Sequence, residues 1–401
     1  MPVRAPAWIL LCLLLAACAP GRAVESLGVL QDVATRAHAH AQELGPVAVD
    51  YRVAGRARSA DLYTPASARA AAGVVLVPGA TPQGRRDPRL VAFARELAAA
   101  RIAVLVPELP GLRQLRLAAA HADPVADALG HLSARTGDGR VGVIAISYAA
   151  GPAVLAALRP ELGARIGLIW LVGPYYDMQA ALTYVTTGAY RTGPEAPWQY
   201  GRPNPRGIWV FIEGNADRLR SARDRRLLRQ IARRKRADPS ASVDALAARL
   251  GADGRAVHAL ATARDPDRIP DLIAALPEAI RSELAALDLS RRDLSRLPGE
   301  IRLLHGRRDP VVPFTQSQTL KRHLPAERTR LYLTDGLFHA DLRGVSLSDG
   351  GQLLALTYDL LTWRDRAPAP DLGAHGPRAT AGTGPGNAAA GGQNGRPQLR
   401  P

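Results

Sequence analysis

Continuous apolar runs of strand length are the feature that most restricts how this chain can fold. The runs "GVVLVPGAT", "AVLVPELPG", "VGVIAI" and "RIGLIWLV" have no polar alternation, which is typical of strands buried on both faces. Amphipathic helical segments such as "PRLVAFARELAAARI" separate them. We therefore expect an α/β fold with a mostly parallel central sheet covered by helices. The alternating "VAVDYRV" and "RARSADLYTP" predict two antiparallel strands ahead of it.

The alternation stops after residue 174 and resumes in "IRLLHGRRDPVVP". The intervening segment is rich in Arg, Ala and Pro and has helical character, which indicates a mainly helical cap inserted into the sheet domain. After residue 366 the chain is mostly Pro, Gly, Ala and Asn, and so has too few large apolar residues to fold. The predicted division is a signal peptide (1–17), an N-terminal tether and helix (18–45), the core's first part (46–174), the cap (175–298), the core's second part (299–366) and a disordered tail (367–401).

The N-terminus reads "MPVRAPAWILLCLLLAACAP". Its apolar run from Ala7 to Ala17 is short for a bilayer span and fits the core of a signal peptide. Leu15-Ala16-Ala17-Cys18 resembles the cleavage site of bacterial lipoproteins, which implies a lipid on Cys18. Ala19, where aspartate would favour the inner membrane, favours the outer membrane facing the periplasm. An ordinary secreted protein with an incidental cysteine is the alternative.

Cysteine usage and charge limit the other possibilities. Cys12 and Cys18 are the only cysteines, so a lipidated mature chain has no internal disulfide and no thiolate chemistry. The formal net charge of +16 comes almost entirely from arginine. The basic segment "RDRRLLRQIARRKR" predicts either a solvated cap helix or a contact with anionic lipid headgroups. We do not expect nucleic acid to be a partner of an exported chain with few aromatic residues, and the oligomeric state is left open.

A single serine lies between a strand and a helix in "VGVIAISYAAGPAVLAAL". Ser147 has alanines, Ala145 and Ala149, two positions to either side. A sharp strand-to-helix turn that projects a nucleophile needs small residues at those positions, usually glycine. Taken alone, the pattern also fits a serine that simply begins a helix.

Two later residues supply what a nucleophilic hydroxyl requires, namely a base and an acid that orients the base. Asp309 in "HGRRDPVVP" and His339 in "GLFHAD" both follow predicted strands. The chain order Ser147, Asp309, His339 resembles that of α/β-hydrolase fold serine hydrolases, over residues 47–363 except most of the cap. Asp309 as a simple turn former and His339 as a surface histidine are the alternatives, as is Asp217 in "IWVFIEGNADR" as a rival acid.

The resemblance implies a role for each residue that matches the family's motifs. Ser147 would be the nucleophile, His339 the general base and Asp309 its acid. The turn "VPGAT" matches the family's oxyanion turn, so the oxyanion donors would be the backbone N–H groups of Ala80 and Tyr148. The chain departs from the family pattern at Pro78, where histidine is common, and in having alanine around Ser147 in place of glycine.

These residues predict carboxylic-ester hydrolysis through an acyl-serine intermediate, with no cofactor and no metal. We expect a small-molecule or lipid ester as substrate and the cap to select it, with Tyr175, Tyr176 and Arg191 as candidate substrate contacts. A peptidase on the same fold and a non-catalytic envelope lipoprotein are the alternatives.

Overall fold

The computed structural model describes residues 20–35, 44–66, 69–339, 341–342 and 346–372. The predicted signal peptide, Cys18 and tail residues 373–401 lie outside the described residues.

A mostly parallel eight-stranded sheet forms the centre of the protein. The strands of the described residues, with four two-residue pieces outside this sheet, are β1 (Val47–Val53), β2 (Arg56–Tyr63), β3 (Ala72–Val77), β4 (Ile102–Pro107), β5 (Val141–Ile146), β6 (Ile166–Val172), β7 (Ala189–Tyr190), β8 (Gln199–Tyr200), β9 (Glu300–Gly306), β10 (Thr329–Thr334), β11 (Leu337–Phe338) and β12 (Asp341–Leu342). The order across the sheet is β1-β2-β4-β3-β5-β6-β9-β10. Pairs β1–β2 and β2–β4 are antiparallel, and all the other pairs of this sheet are parallel. This is the strand arrangement of the α/β-hydrolase fold, which confirms the predicted fold class.

Helices cover both faces of the sheet. They are α1 (Pro20–Thr35), α2 (Pro88–Ala99), α3 (Ala122–Ser133), α4 (Ala150–Ala157), α5 (Met178–Thr187), α6 (Gly207–Asn215), α7 (Ala222–Ala237), α8 (Asp244–Ala247), α9 (Ala252–Ala261), α10 (Ile269–Ala274), α11 (Glu278–Leu287), α12 (Thr315–Arg322) and α13 (Leu347–Arg366). Leu97 of α2 and Leu360 of α13 share one apolar cluster with Val74 of β3. The neighbouring Gly73 faces the opposite side of the sheet, where it approaches Leu132 of α3.

Helix α2 begins at Pro88 because the preceding residues cap it. The Asp87 side chain accepts a hydrogen bond from the backbone N–H of Arg89, and proline occupies the first helical position. Asp87 also pairs with the Arg89 guanidinium and accepts from the hydroxyl of Thr81. These contacts tie the start of α2 to the loop after β3, which becomes part of the site described below.

Seven helices, α5 to α11, lie in the segment between β6 and β9, where the sequence predicts the cap. They enclose an apolar cluster of their own, which includes Ile208 and Ile231. The segment is fastened to loops at the carboxyl edge of the sheet. The N–H of Asn204 donates to the carbonyl of Pro310, in the loop after β9, while within the segment Tyr175 donates its hydroxyl hydrogen to the carbonyl of Leu287.

The arginine-rich segment is helix α7. Its buried side includes Leu228 and Ile231, while Arg233 and Arg236 pair with Glu213 of α6. Part of the basic character is thus already matched within the chain. No helix in the described part of the chain is long and apolar enough to cross a membrane.

The two ends of the described chain pack against the core. Arg364 of α13 pairs with Glu25 of α1, and Asp365 pairs with Arg22. The segment after α13 stays attached through a hydrogen bond from the N–H of Asp371 to the carbonyl of Arg135. The first residues of the predicted tail therefore lie on the core. A backbone hydrogen bond holds them there, although their side chains offer little apolar surface.

Candidate active site

Ser147 lies on the sharp turn that joins β5 to α4. Strand β5 ends at Ile146, one 3₁₀ turn covers Ser147–Ala149, and α4 begins at Ala150. The φ angle of Ser147 is +59°, a conformation that costs a non-glycine residue about 1–3 kcal/mol. Both Ala145 and Ala149 are completely or almost completely buried, so larger side chains would not fit the turn without displacing their neighbours. The strained turn leaves the Ser147 side chain half-buried at the carboxyl edge of the sheet.

The structure brings Ser147, His339 and Asp309 together. His339 Nε2 lies 2.6 Å from Ser147 Oγ, and His339 Nδ1 lies 2.8 Å from Asp309 Oδ2. The other carboxylate oxygen, Asp309 Oδ1, accepts the backbone N–H groups of Val311 and Val312 at 2.7 and 3.0 Å. The Asp309 side chain is fully buried, whereas the His339 side chain keeps one fifth of its surface exposed. The three side chains form one continuous hydrogen-bonded chain.

The charge of Asp309 sets the direction of these hydrogen bonds. Burial disfavours the charged carboxylate, but the nearby imidazoles of His339 and His305 outweigh it and hold the pKa of Asp309 well below its usual range. An ionised carboxylate only accepts hydrogen bonds, so Nδ1 of His339 must carry the proton. In the neutral ring Nε2 is then the acceptor, and Ser147 donates to it. This is the arrangement in which an imidazole can remove a proton from a serine hydroxyl.

A second histidine, His305 on β9, supports the acid, and sequence reasoning missed it. Its Nε2 is 2.9 Å from the carbonyl of Val312 and 3.4 Å from Asp309 Oδ2, and its Nδ1 is 2.6 Å from Ser317 Oγ. The ring is completely buried, so these polar contacts replace the water that it loses. His305 fixes the loop that carries Asp309. The only available signal was its position four residues before the aspartate in "HGRRDP".

Gly173, directly after β6, is another residue that the sequence did not single out. Its φ is +60°, and a Cβ built on it would lie 3.4 Å from Asp309 Oδ2 and 3.5 Å from His339 Nδ1. A side chain here would therefore be strained by the backbone and would touch both members of the acid–base pair.

The predicted oxyanion donors flank the serine. Gly79 is in close contact with Ser147, since a Cβ on it would lie 3.6 Å from that of the serine and 3.3 Å from the carbonyl oxygen of Ile146. In the part of the chain that the structure describes, no backbone carbonyl accepts the N–H of Ala80 or Tyr148. Both groups therefore remain available for an oxygen of a ligand bound at Ser147.

The side chain of Tyr148 binds the core segment before α3, next to the place where the cap contacts it. Its hydroxyl accepts the backbone N–H of Ala118 at 2.7 Å, donates to the carbonyl of Ala118 at 3.0 Å and lies 3.0 Å from His121 Nδ1. Burial raises the pKa of Tyr148 above its usual range, so the hydroxyl stays neutral. Cap residue Glu283 accepts the neighbouring N–H of Ala119.

A cavity of about 630 Å³ adjoins Ser147 and His339. It lies on the face of the sheet that α2 and α13 cover, and none of the described residues that line it belongs to 175–298. A separate space of about 100 Å³ lies among the cap helices, with no member of the Ser147–His339–Asp309 chain in its wall.

The other candidate residues lie elsewhere. The hydroxyl of Tyr175 is bound to Leu287, Tyr176 stacks on His323 with ring centres 4.9 Å apart, and Arg191 lies 4.4 Å above the ring of Trp198. None of these three candidates lines the cavity at Ser147.

The rival acid, Asp217, follows helix α6 and pairs with Arg229, with 54% of its side chain exposed. Among the described residues no group of three or more His, Cys, Asp or Glu side chains is placed to hold a metal ion.

Comparison with known proteins gives similarity at the level of structure only. No protein-family model matches the chain, and no curated protein matches it significantly. A 2-hydroxy-6-oxo-6-phenylhexa-2,4-dienoate hydrolase from Rhodococcus sp. strain RHA1 aligns with a TM-score of 0.43 and 16% identity, covering 81% of this chain and 100% of its own. An esterase domain from a Rhodothermus marinus protein gives 0.41 and 13%, covering 80% and 99%. A putative hydrolase from Legionella pneumophila gives 0.48 and 12%, covering 80% and 88%.

Proposed function

We propose that this protein is a serine hydrolase that cleaves carboxylic esters through an acyl-Ser147 intermediate. The observation that carries the proposal is the continuous chain from Ser147 Oγ through His339 to the buried carboxylate of Asp309, at 2.6 and 2.8 Å. A strained turn presents the hydroxyl to a mainly apolar cavity.

The reaction follows from the hydrogen-bond directions. Ser147 Oγ attacks the ester carbonyl as its proton passes to His339 Nε2, and Asp309 stabilises the resulting imidazolium. The negative oxygen of the tetrahedral intermediate is held by the N–H groups of Ala80 and Tyr148, each worth about 2.7–4 kcal/mol in comparable sites. The ester C–O bond then breaks, and His339 returns the proton to the leaving alkoxide.

Water completes the cycle along the same path. His339 removes a proton from a water molecule that attacks the acyl carbon, and the second tetrahedral intermediate collapses. The carboxylic acid leaves, and Ser147 recovers its proton from His339. Every proton transfer thus uses the same nitrogen, and no group beyond the chain and water takes part.

An ester is favoured over a peptide by the charges around the cavity. A peptidase that recognises an N-terminal amine needs an unpaired carboxylate near the serine. The two acidic residues of the cavity wall, Asp87 and Glu96, both have partners. The described residues of the wall therefore offer an incoming ammonium group no carboxylate that lacks a partner.

The proposal is tested with p-nitrophenyl butyrate, aminoacyl p-nitroanilides and a fluorophosphonate probe. The native protein is expected to hydrolyse the ester and to react with the probe, and Ser147→Ala to lose both, by about 10⁴-fold or more. Preferential cleavage of the anilides would instead support a peptidase. A folded native protein that neither hydrolyses nor reacts would contradict the proposal and leave a non-catalytic lipoprotein.

We further propose that the chain is exported and held in the bacterial cell envelope, in the outer membrane facing the periplasm, by a lipid on Cys18. The support is the sequence Leu15-Ala16-Ala17-Cys18 at the end of a short apolar run. Cells that express the native chain should incorporate labelled palmitate into it, and Cys18→Ser should abolish the label. Equal labelling of both would refute the anchor.

A further inference from the structure

The cavity beside Ser147 differs in position and shape from a pocket under a cap. It lies between the sheet and the two helices α2 and α13, and Val29 and Leu30 of α1 close part of it. Ser147 and His339 are among its lining residues, so whatever fills it lies next to the reacting ester. From Val172 to Trp170 on β6 the wall extends about 6.6 Å away from the carboxyl edge of the sheet, at 3.3 Å per residue.

The walls are elongated. On α13 the lining residues Leu353, Leu356, Thr357 and Leu360 follow a helical spacing along one face, which extends about 10 Å at 1.5 Å per residue. On the opposite side α2 contributes a similar length, from Leu90 to Leu97. An apolar chain that lies along these two helices therefore meets about 10 Å of mainly apolar wall on each of them.

The volume is also sufficient for a long chain. At about 630 Å³ the cavity falls in the usual range of roughly 300–1,000 Å³ for ligand pockets. A methylene group fills about the volume of one liquid water molecule, roughly 30 Å³, so a chain of about twelve carbons or more fits.

The two carboxylates among the described residues of the wall both have partners. Asp87 pairs with Arg89, Arg95 donates to the carbonyl of Leu44, and Glu96 has its own partner. The remaining surface is mainly aliphatic and aromatic, including Phe93. Such a space stabilises hydrocarbon and disfavours charged groups.

The orientation of a bound ester follows from the catalytic groups. The leaving alcohol must lie beside His339 Nε2, which protonates it. The cavity extends from the oxyanion turn, residues 78–81, along α2. When the oxyanion turn holds the carbonyl oxygen of the ester, the acyl part of the ester lies in this cavity. We propose that the cavity is an acyl-chain site that gives this protein a preference for long-chain acyl esters. This inference rests on the proposed ester hydrolysis, and it places chain-length selection under α2 and α13 and not in the cap.

Two substitutions fill the cavity from opposite walls, Thr357→Trp on α13 and Ala92→Phe on α2. Gln352→Trp places the same tryptophan side chain at an exposed position of α13 and is the matched control. The native protein should show kcat/KM rising with acyl length from p-nitrophenyl acetate to laurate, by up to roughly fourfold per methylene. Both filling variants should lower the laurate-to-butyrate ratio by about tenfold or more, while butyrate hydrolysis and fluorophosphonate labelling persist. Gln352→Trp should match the native protein.

A binding experiment separates this inference from the proposed function. In the Ser147→Ala background, displacement of a fluorescent polyene fatty acid by laurate measures the site without catalysis. Adding Thr357→Trp should weaken laurate binding about tenfold or more, and adding Gln352→Trp should not. If the native protein hydrolyses esters but folded filling variants keep its chain-length profile, or if laurate binding is unchanged by them, the acyl site is wrong. If laurate binds as described but no ester is cleaved and Ser147 is not labelled, the proposed hydrolysis is wrong and the apolar-chain site stands.

Discussion

Replacing the buried acid by its amide, Asp309→Asn, tests the hydrogen-bond direction in the site with almost no change of shape. The amide oxygen can keep the N–H groups of Val311 and Val312, which now bind Oδ1. The amide NH₂ then faces His339 Nδ1 in place of Oδ2. A donor there forces the imidazole to carry its proton on Nε2, so it can no longer accept the proton of Ser147.

The size of the effect follows from the geometry. At the 2.8 Å that separates His339 Nδ1 from Asp309 Oδ2, with an effective dielectric constant of about 20, the carboxylate attracts an imidazolium by roughly 6 kcal/mol. Losing this stabilisation in the transition state corresponds to a fall in kcat of about 10⁴-fold. Corresponding amide substitutions in serine proteases have an effect of the same order.

The assay compares kcat for p-nitrophenyl butyrate at neutral pH with the rate of fluorophosphonate labelling. Both should fall together in Asp309→Asn, and the circular dichroism spectrum should stay native. Asp217→Asn is the matched control, because Asp217 is the rival acid of the sequence, is half exposed and pairs with Arg229. A folded Asp309→Asn protein within about tenfold of native activity, or an equal loss in Asp217→Asn, would refute the assigned acid.

Three further substitutions probe separate parts of the structure. Gly173→Ala should lower kcat by about tenfold or more, because a φ of +60° strains an alanine and any shift that relieves the strain moves a Cβ that touches Asp309 and His339; unchanged kinetics would refute this reasoning. Tyr148→Phe should reduce unfolding free energy in urea by about 1–3 kcal/mol, since its hydroxyl is buried, while the backbone donor and thus kcat remain. Asp127→Asn should cost about 1–2 kcal/mol at neutral pH, because it breaks the buried carboxylate's pairs with arginine. Burial opposes the Asp127 charge, but the contacts with arginine outweigh it and lower the pKa of Asp127. The stabilisation is therefore present above about pH 4 and is lost as the pH falls through the lowered pKa. A difference in unfolding free energy between the native protein and Asp127→Asn that does not change with pH would contradict this reasoning.

The central sheet could be predicted because strands buried on both faces leave continuous apolar runs in the sequence. The two alternating segments at the start likewise became β1 and β2, paired antiparallel. The order of Ser147, Asp309 and His339 was informative because each follows a strand, and strands of a parallel sheet end at one edge. The apolar run before Asp217 instead forms helix α6. The sequence could not show this, because so short an apolar run has no periodicity that distinguishes a strand from a helix.

Features that depend on packing between distant segments left no local pattern. His305 reads as one more strand residue, and its contact with Asp309 arises only when the loop folds back on β9. In the sequence Gly173 resembles any glycine at the end of a strand. Its proximity to His339 exists only in the folded protein, because the two residues are far apart in the chain. The cavity depends on the distances of Leu97 and Leu360 from the sheet. These distances are set by how α2, α13 and the sheet pack together. Substrate selection by the cap, which the sequence predicts, stays a prediction.

The most direct test of the account is to identify the covalent intermediate. The protein is mixed with excess p-nitrophenyl ester, quenched in acid within the first turnover, digested with trypsin and analysed by mass spectrometry. We expect a burst of one p-nitrophenol per protein and the mass of one acyl group on the peptide Val141–Arg165, at Ser147. Product release with no acylated peptide, or acylation confined to a residue other than Ser147, would contradict it.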